Sequence, residues 1–70
     1  MTEIAAHITG TVWKIEVKVG QLVKAGETLV ILESMKMEMP VEATEDGRVK
    51  EIRCTEAQSV AEAEILVVLE

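Results

Sequence analysis

The sequence predicts an all-β fold: a flattened barrel or sandwich of two small antiparallel sheets, about eight short strands, related by an internal quasi-twofold repeat. Three observations predict it. A shift of 37 positions lays Gly10–Glu33 over Gly47–Glu70, and ten of the 24 aligned pairs are identical. Each copy consists of Val- and Ile-rich runs bounded by turn residues. No segment combines a helical period with caps. Ten identities in 24 lie far above chance pairing, so the repeat is real. Two copies are too few for a solenoid and the period is too long for a coiled coil. Two halves packed about an approximate twofold axis remain.

Taken in order, Thr11–Val19 reads as a strand with Lys14, Glu16 and Lys18 at alternate positions. The spacing of Val12 to Ile15 breaks strict alternation, and Val49 to Ile52 breaks it identically, which predicts a β-bulge at the same place in both halves. Gly20 ends that strand, Gln21–Val23 is a brief extended piece, and Ala25-Gly26-Glu27 is a turn. Leu29–Glu33 follows as a nearly continuous apolar strand. Met37, Met39, Val41 and Ala43 then alternate with Glu38, Pro40 and Glu42, so that Met37 and Met39 are expected inside. Pro40 points to an edge strand or to a position not needed in the hydrogen-bond ladder. Glu45-Asp46-Gly47 turns into the second copy, where Ala57–Glu64 repeats the turn–strand–turn of Gly20–Glu27 despite its helix-forming composition. Ala57 and Ala63 replace Gly20 and Gly26, so either those turns differ in geometry or the domain tolerates strain.

Seventy residues make a single domain, 1–70, near the lower limit for folding without disulfides or metal. Trp13 is the only aromatic residue, so the core is aliphatic and offers few large side chains for a substrate pocket. A net charge of -6 disfavours nucleic acid and anionic membranes as partners. One cysteine and one histidine supply neither a disulfide nor a zinc set. The start, Met1-Thr2-Glu3-Ile4, lacks a basic-then-apolar signal pattern and no apolar run approaches membrane-spanning length, so a cytoplasmic location is expected.

The chemistry concentrates in Glu33-Ser34-Met35-Lys36-Met37-Glu38, between the two copies. The chain must reverse there with only Ser34-Met35-Lys36 available, yet two-residue hairpin turns favour Asn-Gly, Asp-Gly or Gly-X. Residues poorly suited to turning imply selection for something other than folding. A lysine picked at random is an ordinary surface residue, and the methionines alone would be core filler. Central position, flanking methionines and a reversal without turn chemistry together overturn that reading. Lys36 is expected to be a solvated amine presented to another enzyme.

Met-Lys-Met-Glu within a repeated all-β unit of this length resembles the biotin/lipoyl attachment (biotinyl) domain, and the chain resembles a single-domain biotin carboxyl carrier protein from about Ile4 to Glu70. Ser34 stands where many members have alanine. Carriers of the multi-subunit acetyl-CoA carboxylase often have an Ala/Pro-rich N-terminal extension and a protruding insert in the first half; no such extension is read here, and Lys14–Leu29 leaves no room for the insert. The resemblance implies that Lys36 is biotinylated by a biotin protein ligase, with Met35 and Met37 as its recognition motif. It implies a carrier of covalent biotin that shuttles carboxyl groups between biotin carboxylase and carboxyltransferase sites on partner subunits, and no catalysis of its own. Lysine plus the biotin side chain would give a tether of roughly 14 Å over roughly ten rotatable bonds. A lipoyl carrier shares the fold, but that family typically places an acidic residue before the lysine and alanine after it. An unmodified β module that binds a partner protein is the alternative from another class.

The remaining residues carry weaker signals. Cys54 aligns with Val17 at an inward position and is expected to be a buried structural thiol. His7 is expected at the surface. Glu33, Glu38 and Glu42 either keep the strands soluble or contribute to recognition. Trp13 aligns with Lys50, so it is expected partly exposed, as a packing cap or partner contact.

Overall fold

The computed structural model describes residues 1–70 and contains eight strands and no helix. They are β1 (Thr2–Ala5), β2 (Gly10–Ile15), β3 (Leu22–Val23), β4 (Thr28–Ser34), β5 (Met37–Glu42), β6 (Gly47–Ile52), β7 (Ser59–Val60) and β8 (Ile65–Leu69). Two four-stranded sheets form, in the orders β1-β8-β6-β3 and β5-β4-β2-β7, with every pairing antiparallel. Their facing sides enclose an aliphatic core of 16 residues, in which Val12, Leu29, Val30, Leu32, Leu66 and Val67 have no solvent exposure at all.

The shift of 37 maps one sheet onto the other strand by strand. Leu32↔Met39, Ile31↔Pro40 and Val30↔Val41 in the β4–β5 pair correspond to Leu69↔Thr2, Val68↔Glu3 and Val67↔Ile4 in the β8–β1 pair. The bulge read from the spacing is present in both halves, between Val12 and Lys14 and between Val49 and Glu51. Pro40 lies on β5, an edge strand whose outer side needs no N–H donor.

Identical polar residues in the two copies hold identical turns. Gln21 and Gln58 accept hydrogen bonds from the backbone N–H of Lys18 and Thr55, at 3.1 and 2.9 Å. Glu27 and Glu64 do the same for Lys24 and Ala61, at 3.1 and 3.0 Å. Gly20 and Gly26 have φ of 93° and 87°, and Ala57 and Ala63 take φ of 73° and 74° at the matching positions. The second-half turns therefore keep the first-half geometry and carry strain of about 1–2 kcal/mol per alanine. Each of these four residues donates its N–H to the other half, Gly20 to Val49, Ala57 to Val12, Gly26 to Ala43 and Ala63 to Ala6, all within 2.8 Å. That locking is what makes the strain tolerable.

Two expectations need correction. The first strand ends at Ile15 rather than Val19: Glu16 N–H still donates to the Leu29 carbonyl at 2.9 Å, but from Val17 the chain leaves the ladder to reach the Gly20 turn. Met37 is 55% exposed rather than buried, because its end of the β4–β5 hairpin runs past the sandwich; Met39, one pleat further in, is half-buried.

Candidate modification site

Strands β4 and β5 are joined by the two residues Met35 and Lys36, with Ser34 paired to Met37. Both turn residues are left-handed, Met35 at φ 53° and Lys36 at φ 65°. That pattern belongs to a type I′ turn, whose twist suits the strands it joins but which favours Asn-Gly. Two ordinary side chains held there cost about 1–2 kcal/mol each. The hairpin therefore places an unsuited pair of residues at its tip against a local energetic preference.

The surroundings leave the tip open and its root firm. Met35 is 91% exposed and Lys36 is exposed. The two ion pairs of the molecule, Lys14–Glu16 and Glu51–Arg53, do not involve Lys36. Beneath the hairpin, a Cβ on Gly10 would lie 2.6 Å from the Glu33 carbonyl oxygen and 3.4 Å from Ser34 Cβ. Strand β2 therefore packs its backbone directly against the hairpin root. The sequence signal for Gly10 was its identity with Gly47, which meets the Glu70 carbonyl oxygen in the same way at 3.1 Å.

Glu33 and Glu38 are cross-strand partners, both exposed, flanking the turn on one face. Glu42 is exposed at the far end of β5, so it does not join them at the hairpin. Cys54 is buried, and burial followed by the charge of Glu64 raises its thiol pKa, which fits a structural role. His7 is exposed, and Trp13 is 47% exposed at the β2 bulge. An open groove of about 680 Å³ lies along β3 and β6, lined by Leu22, Lys24, Asp46, Arg48 and Glu70 among others, and includes no hairpin residue. Chemically, the site offers one accessible primary amine on a stiff support.

A small twofold sandwich presenting a single lysine on its central hairpin defines an attachment domain. The chain matches the family model for biotin-requiring enzymes over residues 1–69, and it belongs to the biotin/lipoyl attachment domain family. It is 39% identical to the biotin/lipoyl attachment protein of Bacillus subtilis (strain 168), across 94% of this chain and 90% of that one. It is 35% identical to the pyruvate carboxylase of Staphylococcus aureus, across 99% of this chain but 6% of that protein. The crystal structure of Kluyveromyces lactis urea carboxylase superposes with a TM-score of 0.94 at 33% identity, covering 99% of this chain and 6% of that one. The chain is thus a carrier-type attachment domain whose relatives are mostly carboxylases or their subunits.

Proposed function

We propose that this chain is a biotin carrier in which a biotin protein ligase acylates Lys36, with Met35 and Met37 recognised alongside it. The observation that carries the reading is an exposed, unpaired lysine held at positive φ between two exposed methionines, on the central hairpin of an attachment-family fold. The predominance of carboxylases among the relatives favours biotin over lipoyl.

The fit of the site to the group rests on the lysine. Its amine stands clear of the body, so acylation displaces no packed atom and breaks no ion pair. As the amide N–C bond forms, the ammonium gives up two of its three protons, the amide nitrogen keeping the third, and the activating group leaves the acyl carbon. The formal charge then passes from -6 to -7. When attached, biotin supplies a ureido nitrogen that accepts a carboxyl group at one active site and yields it at another. Those active sites belong to biotin carboxylase and carboxyltransferase partners; this chain contributes a local concentration of the attached group. The stiff hairpin root fixes where the arm begins, while the exposed tip leaves its rotations free.

Incubation with a purified biotin protein ligase, ATP and biotin, read by intact mass, tests the reading. One biotinyl group is expected on the wild type and none on Lys36→Arg. Addition of a lipoyl or octanoyl group by a lipoate ligase, with no biotinylation, would favour the lipoyl carrier instead.

A further inference from the structure

The duplicated fold contains its own control surface. On the hairpin-bearing sheet, the register sets Lys14 opposite Ile31 and Ile31 opposite Pro40, with Trp13 in the bulge beside Lys14. The twofold-related row on the other sheet is Glu51, Val68 and Glu3, with Lys50 in the bulge. The two backbones match, but the surfaces do not. Trp13 replaces a lysine and Pro40 a glutamate, and Trp13 remains 47% exposed where packing does not require it. Ile31 is half-open, whereas its image Val68 is only 6% exposed. The matching backbone accepts lysine and glutamate at the images of Trp13 and Pro40, so the fold does not require the apolar character of this row.

Between this row and the turn stand Glu33 and Glu38, directly opposite one another and without an ion pair. Like charges facing across strands cost stability. Their twofold images are Glu70 and Met1, so the facing pair occurs only on the hairpin side. A complementary partner surface would be apolar over Trp13, Ile31 and Pro40 and basic toward the turn.

We propose that the Trp13–Ile31–Pro40 row is the docking surface for the ligase that acylates Lys36, meeting an apolar contact bordered by lysine or arginine. Reach selects this occupant. A lysine side chain extends roughly 6 Å, so an enzyme acting on its amine must lie close against the hairpin. Ile31 is three residues from the end of β4, roughly 10 Å along the strand, and falls under such an enzyme. Enzymes acting on the attached ring meet it at the end of the roughly 14 Å tether, about 8 Å beyond the amine, and need no contact with this row. The inference rests on the biotin-carrier reading.

The test exchanges residues for their own twofold images, Trp13→Lys and Pro40→Glu, which the same backbone already accommodates at Lys50 and Glu3. Biotinylation kinetics with a purified bacterial biotin protein ligase are measured for each variant and for Lys50→Ala on the opposite sheet, after circular dichroism and thermal melting confirm folding. Backbone amide NMR shifts of unmodified wild type are followed during titration with the same ligase. The expected result is a fall of about tenfold or more in kcat/KM for Trp13→Lys, a smaller fall for Pro40→Glu and no change for Lys50→Ala, with shifts in Thr11–Lys14 and Ile31. Normal loading of all folded variants, or shifts confined to the hairpin tip, would overturn the docking surface alone. Failure of wild type to gain any biotin would overturn it together with the carrier reading.

Discussion

Ala57 and Ala63 show how single residues set the balance of this fold. Both sit at positive φ where the first copy has glycine. Relief of about 1–2 kcal/mol of left-handed strain is opposed by about 0.4–1 kcal/mol from the freer unfolded chain. Ala57→Gly and Ala63→Gly should therefore each stabilise, by up to about 1.5 kcal/mol, in urea denaturation. Gly10 works in the opposite direction. A methyl there would collide with the Glu33 carbonyl at 2.6 Å, so Gly10→Ala should cost about 1–3 kcal/mol, more than Gly47→Ala, which meets its neighbour at 3.1 Å. At Cys54 the folded pKa is raised above the ordinary 9.0, so the folded state keeps a proton that the unfolded state releases. Stability is then complete below about pH 9 and falls as pH rises through the folded value. Cys54→Val, which installs the residue of the twofold image Val17, should remove that alkaline loss in pH-dependent melts. Cys54 was legible because its alignment with Val17 assigned it to the inner face. The alanine turns were not, since composition alone cannot say whether a backbone hydrogen bond will hold an unfavourable φ.

At the scale of elements, the β4–β5 hairpin spends stability on its tip. Met35 occupies a left-handed position that asparagine adopts at less cost. Met35→Asn should stabilise the domain by a few tenths to about 1 kcal/mol in denaturant melts while slowing ligase loading of Lys36. A destabilised Met35→Asn would mean that Met35 contributes packing its 91% exposure does not show. The strand pattern located this hairpin, its two-residue turn and the edge position of Pro40. It misplaced Met37 because alternation reports which face a residue takes, not whether the opposing sheet extends far enough to cover it. It also extended the first strand past Ile15, since Val17 is buried in a connecting segment that alternation cannot distinguish from a ladder.

Across the whole molecule, the twofold relation runs beyond what identity shows. Strand β1 is the image of β5, with Ile4 matching Val41 and Ala6 matching Ala43, all four buried. Over Thr2–Ala6 only the alanine is shared, so the sequence repeat begins at Gly10 while the structural one begins at β1. In that symmetry the Lys36 turn is the covalent bridge between the copies, and its image is the place where β1 and β8 run alongside each other at the chain ends. A bridge outside both repeats can carry residues that neither sheet needs, which is why the candidate modification motif was readable as an interruption of the pattern. Trp13 was legible only as a mismatch in the repeat; its row with Ile31 and Pro40 depends on strand register. The most direct measurement is peptide mapping by mass spectrometry after treatment with biotin protein ligase, ATP and biotin. A single biotinyl group on the peptide containing Lys36, and none elsewhere, is expected. Biotin on another lysine, or an unchanged wild-type mass beside a loaded control substrate, would contradict it.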